Sequence, residues 1–378
     1  MMQAGAVSGM KKIKLAWDDC FARRNPTGTG VYAASMLKQL VHDPALDLTV
    51  FHGWPKGSGG RLRRALKIAG NMAWTHFDLP LRLWKHGFDV LHSPAFIAPV
   101  EAPCPVVITV HDITYLLYPS HFAPWWVRYM KSVMPATINS AAAVICGSEH
   151  SKRDLVSAYK LSSSKVHVVP YGVDHQSFCP EALLDSRWAR EVGLRDGYVL
   201  HVGGFYERKN IPTLLAAVAR LRSLGKWGDR QLVLAGAEAP GIIGGNEIRA
   251  AIAELDLSTK MVLPGRVPDE HLPGLYAGAS LLVMPSLYEG FGFPILESMA
   301  AGTPVVASNT SSLPEVAGDA AILVSPRDTV ALADAIGQVL GNPGLGAELR
   351  SRGLKRARQF DWQWTAAKTV ELYCTLVN

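Results

Sequence analysis

The stretch from Met284 to Val306, MPSLYEGFGFPILESMAAGTPVV, decides the fold because it contains a complete strand, loop, helix and second strand. Pro294 suits the first position of the helix, and Gly302 suits the residue that ends it. Glu289 then lies in the loop, whereas Glu297 lies in the first helical turn, where the helix dipole favours a carboxylate. The stretch therefore predicts a strand–helix–strand unit of an α/β domain.

The two glutamates raise the question of whether they act as a pair. Two carboxyl groups that act as acid and base face the same bond and exchange a proton. Here the loop between them holds the amides of Phe291, Gly292 and Phe293. Because amides at a helix start bind anions, this arrangement favours different tasks for the two carboxylates. The alternative is an ordinary turn followed by an acidic residue at the helix start.

Short apolar runs alternate with amphipathic helical patterns along the whole chain. The first half contains IKLAW, LTVFH, VLHS, PVVITVH, AAVICGS and KVHVVPY as predicted strands, and the pattern restarts near residue 197 with YVLHVGG. Such alternation predicts parallel sheets covered by helices on both faces. We therefore expect two Rossmann-like, doubly wound α/β domains that face a cleft, in which ligands bind at the carboxyl ends of strands.

The composition is that of a globular protein. The chain has 378 residues, of which 48% are hydrophobic and 19% charged, enough for two domains without disulfide bonds. Its five cysteines contain no C-x-x-C pair, which predicts reduced, mostly buried thiols in a cytoplasmic protein. No apolar run approaches the ~18 residues of a membrane-spanning helix, so none is expected.

The charge is distributed unevenly between the two halves. Residues 1–180 hold 19 Lys and Arg against 11 Asp and Glu, a net charge of +8, and residues 181–378 have a net charge of −2. A basic half favours an anionic partner such as phosphate, an acidic lipid or nucleic acid. Nucleic acid is not expected, because the excess is modest and no recognised binding module accompanies it.

A basic and aromatic segment lies in the first half, GRLRRALKIAGNMAWTHFDLPLRLWKHG at residues 60–87. Its basic residues at helical spacing and its tryptophans are Arg61, Arg64, Lys67, Trp74 and Trp84. One interpretation is a helix that lies on an anionic membrane. The other is an ordinary surface helix that packs one face on its domain.

Several polar groups follow predicted strands. The loop RRNPTGTGVY places Gly28 and Gly30 where the backbone can approach a ligand closely, although a flexible turn is the alternative. His111 and Asp112 directly follow the buried run VVITV and suit a binding site, the alternative being a capping Asp beside a structural histidine.

The stretch HVGGFYERKNIPTLL, residues 201–215, places two cations beside a glycine pair and a helix start. Gly204 ends the predicted strand, and Arg208 and Lys209 precede the helix, which makes a favourable diphosphate site. A solvated charged loop is the alternative. No metal site is predicted, because Asp18 and Asp19 are adjacent and do not form an Asp-x-Asp motif.

Together these motifs resemble those of the retaining glycosyltransferases of family 4, which have the GT-B fold of two facing Rossmann-like domains. The resemblance extends over nearly the whole chain and is strongest from Val199 to Val306, where GGFYERKN and Glu289-x7-Glu297 match. It implies an N-terminal acceptor domain at residues 1–175 and a C-terminal nucleotide-sugar donor domain at 176–358. A final helix at 359–378 is expected to cross back onto the first domain.

The resemblance also implies roles for individual residues. The implied catalytic residues are His111 beside the donor sugar, Glu289 on its hydroxyls, and Arg208 and Lys209 on the diphosphate. The implied donor-binding residues are Gly28, Gly30 and Gly204 at the phosphates, Arg266 and Val267 at the base, Phe291, Gly292 and Phe293 through their amides, and Glu297 on the ribose.

The implied reaction transfers a hexose, with retention, from a nucleotide sugar to a hydroxyl of a glycan or lipid-linked glycan, without a cofactor or a metal ion. GDP-mannose is the first choice of donor because HDITYLLYPSHF resembles bacterial polysaccharide mannosyltransferases. UDP-glucose, dTDP-rhamnose and other donors stay open. The alternatives are a nucleotide-sugar epimerase or hydrolase on the same fold, and a non-catalytic nucleotide- or glycan-binding protein. Peripheral contact with the inner membrane face is a further expectation.

Overall fold

Two six-stranded parallel sheets form the molecule. The computed structural model describes residues 11–23, 27–53, 70–237 and 245–377. The strand orders are β2-β1-β3-β4-β5-β6 and β12-β11-β10-β7-β8-β9, and every strand pair is parallel. The predicted fold class, two doubly wound α/β domains, is confirmed.

The strands are short and mostly buried, as expected where helices cover both faces of a parallel sheet. The first sheet consists of β1 Ile13–Asp18, β2 Leu46–Phe51, β3 Val90–Ser93, β4 Val106–Thr109, β5 Ala143–Cys146 and β6 Val166–Val168. The second consists of β7 Val199–Val202, β8 Leu232–Ala235, β9 Met261–Gly265, β10 Leu281–Met284, β11 Val305–Ser308 and β12 Ile322–Val324.

Helices connect these strands. Those of the first half are α1 Gly28–Leu40, α2 Leu79–His86, α3 Thr114–Leu117, α4 Pro124–Ser140 and α5 Glu149–Tyr159, and a π-helical turn, Trp74–Asp78, precedes α2. Those of the second half are α6 Ser186–Glu191, α7 Ile211–Ser223, α8 Gly245–Glu254, α9 Leu272–Ala277, α10 Phe293–Ala300, α11 Leu313–Ala317, α12 Thr329–Gly341, α13 Pro343–Ala357 and α14 Trp362–Val377. Short 3-10 turns lie at Pro119–His121, Ser163–Lys165, Glu207–Lys209 and Ser258–Lys260.

The last helix, α14, returns to the first sheet, where it contacts α1, β1 and β3. The Tyr373 hydroxyl in α14 hydrogen-bonds the ring of His92 at the middle of that sheet. At the start of α14 the backbone of Trp362 lies so close to Gly172 that a Cβ there would come within 2.3 Å of the Trp362 nitrogen. The exact limits of the domains, at residues 175 and 358, stay predictions.

The basic segment is described only from residue 70 onward, and Arg61, Arg64 and Lys67 lie outside the described residues. Its two tryptophans differ, because Trp74 is buried and Trp84 is exposed. Within the described ranges, no helix is both long and apolar enough to cross a membrane. None of the five cysteines, all of which lie in the described ranges, forms a disulfide bond, but only Cys20 and Cys146 are buried, so the expectation of mostly buried thiols was too strong.

Candidate functional site

Residues that follow β4 and β5 of the first sheet meet the loop that follows β10 of the second sheet. A cavity of about 1000 Å³ lies between the domains and is lined by Asp19 and Gly30 from the first and by Arg266 and Glu297 from the second. Three predicted donor-binding residues, Gly30, Arg266 and Glu297, therefore share one cavity. Asp18 and Asp19 turn to separate partners: Asp18 accepts a hydrogen bond from the Trp74 indole at 3.2 Å, and Asp19 is paired with His52 at 2.9 Å.

A buried charge cluster lies at the end of β7. The Glu289 carboxylate is 2.8 Å from Arg208 Nη1 and 2.6 Å from Lys209 Nζ. Arg208 also donates to the carbonyl of Tyr288 at 3.1 Å, which ties the Glu207–Lys209 turn to the loop after β10. Gly203 has φ +155°, and a Cβ there would lie 2.8 Å from the Lys209 side chain, so glycine lets the lysine pass over the strand end.

Burial and charge have opposing effects in this cluster. Burial raises the pKa of Glu289, but the two cations outweigh it and hold that pKa at about 2. Burial likewise lowers the pKa of Lys209, although Glu289 opposes the change. We take Glu289 as ionised and both cations as charged, because the contact distances are those of ion pairs. The cluster thus holds one net positive charge.

Glu297 lies in a contrasting environment. Helix α10 begins at Phe293, so Pro294 takes its second position rather than the first, and Glu297 lies in the second turn instead of the predicted first turn. Gly292, at φ +114°, precedes the helix and sets this earlier start. The Tyr276 hydroxyl donates to the Glu297 carboxylate at 2.7 Å, yet burial dominates and raises the pKa of Glu297 to about 7. The expected stabilisation of its charge by the helix dipole does not prevail.

His111 follows β4 and contacts the loop of the opposite domain. Its Nδ1 lies 2.9 Å from the Tyr171 hydroxyl, and its Nε2 lies 3.0 Å from the carbonyl of Pro94. Since a carbonyl only accepts, Nε2 carries the proton and Nδ1 accepts from Tyr171. Burial lowers the pKa of His111 to about 4, so the ring is neutral. A Cβ on Gly290 would lie 2.4 Å from the His111 carbonyl oxygen, so the two backbones touch.

The glycines of the first loop lie elsewhere than predicted. Helix α1 begins at Gly28, so Gly28 and Gly30 belong to its first turn and not to a loop. A Cβ on Gly28 would lie 3.0 Å from the ring of Phe293 in the opposite domain. Phe293 in turn belongs to an aromatic cluster that includes Tyr171, whose ring centroid is 5.6 Å away, and Trp362, at 6.2 Å.

The remaining predicted residues border the same region. Arg266 directly follows β9, is about half exposed and lies 3.6 Å from Asp269, whereas Val267 is buried. Gly204 lies two residues beyond β7, where a Cβ would be 2.6 Å from the ring of Tyr206. Within the described residues, the loop amides of Phe291 and Gly292 make no backbone hydrogen bond. The structure thus brings Glu289, Arg208, Lys209 and His111 around one loop and sets Glu297 and Arg266 in the adjoining cavity.

Several residues of this site were not predicted from the sequence. Those that contact the predicted residues or their loop are Gly290, Ser148, Ser151, Ser312, Tyr171 and Tyr276. Glu315 contacts the start of α5, the helix that carries Ser151. Ser148 was detectable, because GSEHS follows a buried strand and precedes a helix, as the other polar loops do. Ser151 lies in the same stretch, and Tyr171, Tyr276 and Glu315 carry no local signal.

Comparisons with known proteins agree with this arrangement. Residues 27–177 match the family model described as Glycosyltransferase Family 4, and residues 196–342 match the one described as Glycosyl transferases group 1. The MMP alpha-(1->4)-mannosyltransferase of Mycolicibacterium hassiacum is 37% identical over 368 residues, 93% of this chain and 82% of that protein. The O-antigen chain mannosyltransferase B of Escherichia coli is 31% identical over 287 residues, 75% of this chain and 74% of that protein.

Solved structures of the GT-B fold share the arrangement of the two domains. Sucrose-phosphate synthase from Thermosynechococcus elongatus superposes with a TM-score of 0.73 and 22% sequence identity. The superposition covers 97% of this chain and 99% of that protein's chain. At that identity the likeness concerns the fold alone.

Proposed function

Because the chain belongs to the family 4 glycosyltransferases, we propose that it transfers a hexose, with retention, from a nucleotide sugar to a glycan or lipid-linked glycan hydroxyl. GDP-mannose is the preferred donor, since both relatives described above are mannosyltransferases by name. The observation that carries the proposal is the buried cluster of Arg208, Lys209 and Glu289 at the end of β7.

The cluster suits the departure of a diphosphate. When the bond between the sugar C1 and the phosphate oxygen breaks, its electron pair stays with the diphosphate, and Arg208 and Lys209 stabilise the added negative charge. Preorganised cations in a site shielded from water are effective at this task. In the proposal they act without a metal ion. The acceptor oxygen then bonds C1 on the face the diphosphate leaves, and the acceptor proton passes to a phosphate oxygen.

The carboxylates and His111 take supporting roles in this proposal. Glu289 has a pKa of about 2 and is held by two cations, so it is a weak base that suits hydrogen bonds from the sugar hydroxyls. Glu297 faces the cavity and suits the ribose diol. His111 is neutral with both ring nitrogens engaged, so we assign it to contact with the sugar and not to proton abstraction.

An acceptor panel with GDP-mannose tests the proposal against its alternatives. Transfer requires that donor consumption depend on an acceptor and that the product keep the anomeric configuration of the donor, read by nuclear magnetic resonance. An epimerase or hydrolase would consume the donor equally fast without an acceptor. A binding protein would bind the donor and consume none. Thermal shifts with GDP, UDP, dTDP and ADP rank the bases, because ligand at 100 times its Kd stabilises by about 2.7 kcal/mol.

Arg208→Ala tests the assignment of the diphosphate site. Loss of one preorganised charge donor typically lowers kcat by roughly 10²–10³, and we expect a fall of this size in kcat/KM. Arg195→Ala is the matched control, because the Arg195 side chain is exposed and pairs with Asp229 in the same domain. A loss of less than about tenfold in Arg208→Ala would contradict the assignment.

An exposed apolar face on the first domain supports contact with a membrane that carries the acceptor. Phe77, Leu81 and Trp84 are 71%, 64% and 74% exposed. Their spacing of four and three residues places them on one helical face. Arg82 and Lys85 lie within the same segment, and the first 180 residues have a net charge of +8. We therefore propose that this face, Phe77 to Trp84, contacts an anionic membrane.

Co-sedimentation with vesicles tests this contact. With vesicles containing phosphatidylglycerol, the triple variant should pellet at least tenfold less than wild type; its substitutions are Phe77→Ser, Leu81→Ser and Trp84→Ser. Wild type should not pellet with vesicles of pure phosphatidylcholine. Leu183→Ser is the matched control, because Leu183 is 90% exposed but lies outside this face. Equal pelleting of the triple variant and wild type would refute the membrane contact. If wild type self-associates and the triple variant does not, the face binds a second copy of the chain instead.

A further inference from the structure

The donor loop, defined here as Glu289 to Phe291, is held at its backbone by four serine hydroxyls. Two of them come from its own domain: Ser311 Oγ accepts from the amide of Glu289 at 3.0 Å, and Ser312 Oγ lies 2.9 Å and 2.7 Å from the carbonyls of Glu289 and Phe291. These bonds join residues of the second domain alone.

The other two serines belong to the opposite domain. Ser148 and Ser151, at the start of α5, donate to the carbonyl of Gly290 at 3.0 Å and 2.9 Å. Both are almost fully buried. Ser148 is also the N-cap of α5, since its oxygen accepts from the Ser151 amide at 3.1 Å. The loop that presents Glu289 is therefore fully held only when the domains are closed.

A carboxylate on the second domain fastens the same helix start. The Glu315 carboxylate accepts from the amides of Glu149 at 2.7 Å and His150 at 2.8 Å, and Arg153 lies 3.5 Å away. These are the amides that a helix N-terminus leaves without partners, and a carboxylate is favoured there by the helix dipole. Glu315 and Gly290 thus hold the first turn of α5 from two sides.

A further bond lies one turn along α5. The Tyr288 hydroxyl, one residue before the donor loop, donates to Asp154 at 2.7 Å. Gly290 itself leaves no room for a side chain against His111, so the contact depends on direct approach of the two backbones. The start of α5 therefore meets the donor loop on one side and Glu315 on the other.

We propose that Ser148, Ser151 and Glu315 are positioning residues that set the donor loop for catalysis by holding the domains closed. The inference rests on the proposed function, because the loop carries Glu289. The serines fix the Gly290 carbonyl, and Glu315 fixes the helix that carries the serines. Binding of the nucleotide to the second domain needs none of these contacts, whereas turnover needs them all.

The kinetic test separates positioning from binding. Ser148→Ala and Glu315→Gln should each lower kcat at least tenfold, while the Kd for GDP measured by calorimetry stays within twofold of wild type. Ser148→Thr keeps a capping hydroxyl and should restore most of the activity. Ser162→Ala is the matched control, because Ser162 caps the short Ser163–Lys165 turn of the same domain away from the donor loop. Equal kcat for Ser148→Ala, Glu315→Gln and Ser162→Ala would overturn the proposal.

A structural readout keeps the test independent of turnover. Small-angle scattering of the GDP-bound protein should show a larger radius of gyration for Glu315→Gln than for wild type, because the domains part. If no acceptor supports transfer, the proposed function fails. The radius of gyration still shows whether Glu315 holds the two domains closed. An unchanged radius in Glu315→Gln, together with unchanged kcat, would refute the role of Glu315. In the double variant the losses should be less than additive if both residues act through one closed state.

Discussion

Replacing Glu297 with Gln should stabilise the protein at alkaline pH while it weakens donor binding. Burial raises the pKa of Glu297 from 4.5 to about 7, despite the hydrogen bond from Tyr276. Because each pKa unit corresponds to about 1.4 kcal/mol, ionising this carboxyl in the folded protein costs about 3 kcal/mol. Glutamine keeps an oxygen that accepts from Tyr276 and carries no charge, so it removes this cost.

The sign of the pH dependence follows from the raised pKa. Below pH 4.5 the carboxyl is protonated in the folded and unfolded states alike, and glutamate and glutamine should differ little. As the pH rises from 4.5 through about 7, the unfolded state ionises more readily, so wild type loses stability relative to Glu297→Gln. Above about pH 7.5 the difference should level off at about 3 kcal/mol.

Melting temperatures across this pH range measure the effect. For a domain of 150–250 residues, 1 kcal/mol shifts Tm by about 2–4 °C, so Glu297→Gln should melt roughly 6–12 °C above wild type at pH 8.5. The lead should shrink toward zero at pH 4.5. The difference between the Tm curves of wild type and Glu297→Gln cancels the contributions of other titrating groups. One of these is Asp18, because burial also raises its pKa to about 7. Glu181→Gln, at an exposed position, serves as the control.

The same variant tests the ribose assignment. If the carboxylate binds the diol, Glu297→Gln should raise the Kd for GDP at least tenfold at pH 8, while kcat at saturating donor changes little. A Tm lead that does not vary with pH would refute the reasoning on burial. An unchanged Kd for GDP would refute the ribose role and leave the stability argument standing.

Two further predictions concern the donor loop. Glu289→Gln should have the opposite linkage: the two cations hold the pKa of Glu289 at about 2, so its stabilisation is present above pH 4.5 and is lost as pH falls toward 2. At pH 7 we therefore expect Glu289→Gln to lose about 3 kcal/mol of stability, measured by Tm. Its kcat should fall by a larger factor than its Kd for GDP changes. A gain in stability would contradict this prediction. Gly290→Ala should lower kcat at least tenfold, because its Cβ would lie 2.4 Å from the His111 carbonyl and keep the domains apart. Gly341→Ala is the control, because the added Cβ would meet no other element of the described structure within 4 Å, and equal kcat in the two variants would rule out the contact.

The strands were predictable from sequence because their apolar runs are local. The first residues of the helices were harder to predict from sequence. α1 begins at Gly28 and α10 at Phe293, each before the predicted first residue, because the start depends on the backbone conformation of the preceding residue, such as Gly292 at φ +114°. Periodicity of apolar residues does not report that angle. The shift moved Glu297 out of the first turn and removed the basis for expecting a dipole-stabilised charge.

Contacts between the domains had no sequence signal. Ser148 and Gly290 are 142 residues apart, and Glu149 and Glu315 are 166 apart, so only the folded arrangement brings them together. The sequence singled out Arg208 and Lys209, which contact Glu289 from its own domain, but it did not single out Ser311 and Ser312. It did not predict that the first domain holds the loop by its backbone, because backbone carbonyls look alike in any sequence.

The two glutamates eight positions apart are best understood by what surrounds each one. Two cations flank Glu289 and hold its pKa at about 2, whereas burial raises the pKa of Glu297 to about 7 despite the hydrogen bond from Tyr276. Glu289 contacts Arg208 and Lys209 at the end of β7, whereas Glu297 lines the cavity beside Tyr276, so the two carboxylates lie in different surroundings. A fixed negative charge suits the hydroxyls of a sugar that becomes positive at C1. A carboxyl that ionises at a cost suits a diol, since two donated hydrogen bonds offset that cost when the nucleotide binds. In the proposed function, the two glutamates therefore bind different parts of one substrate.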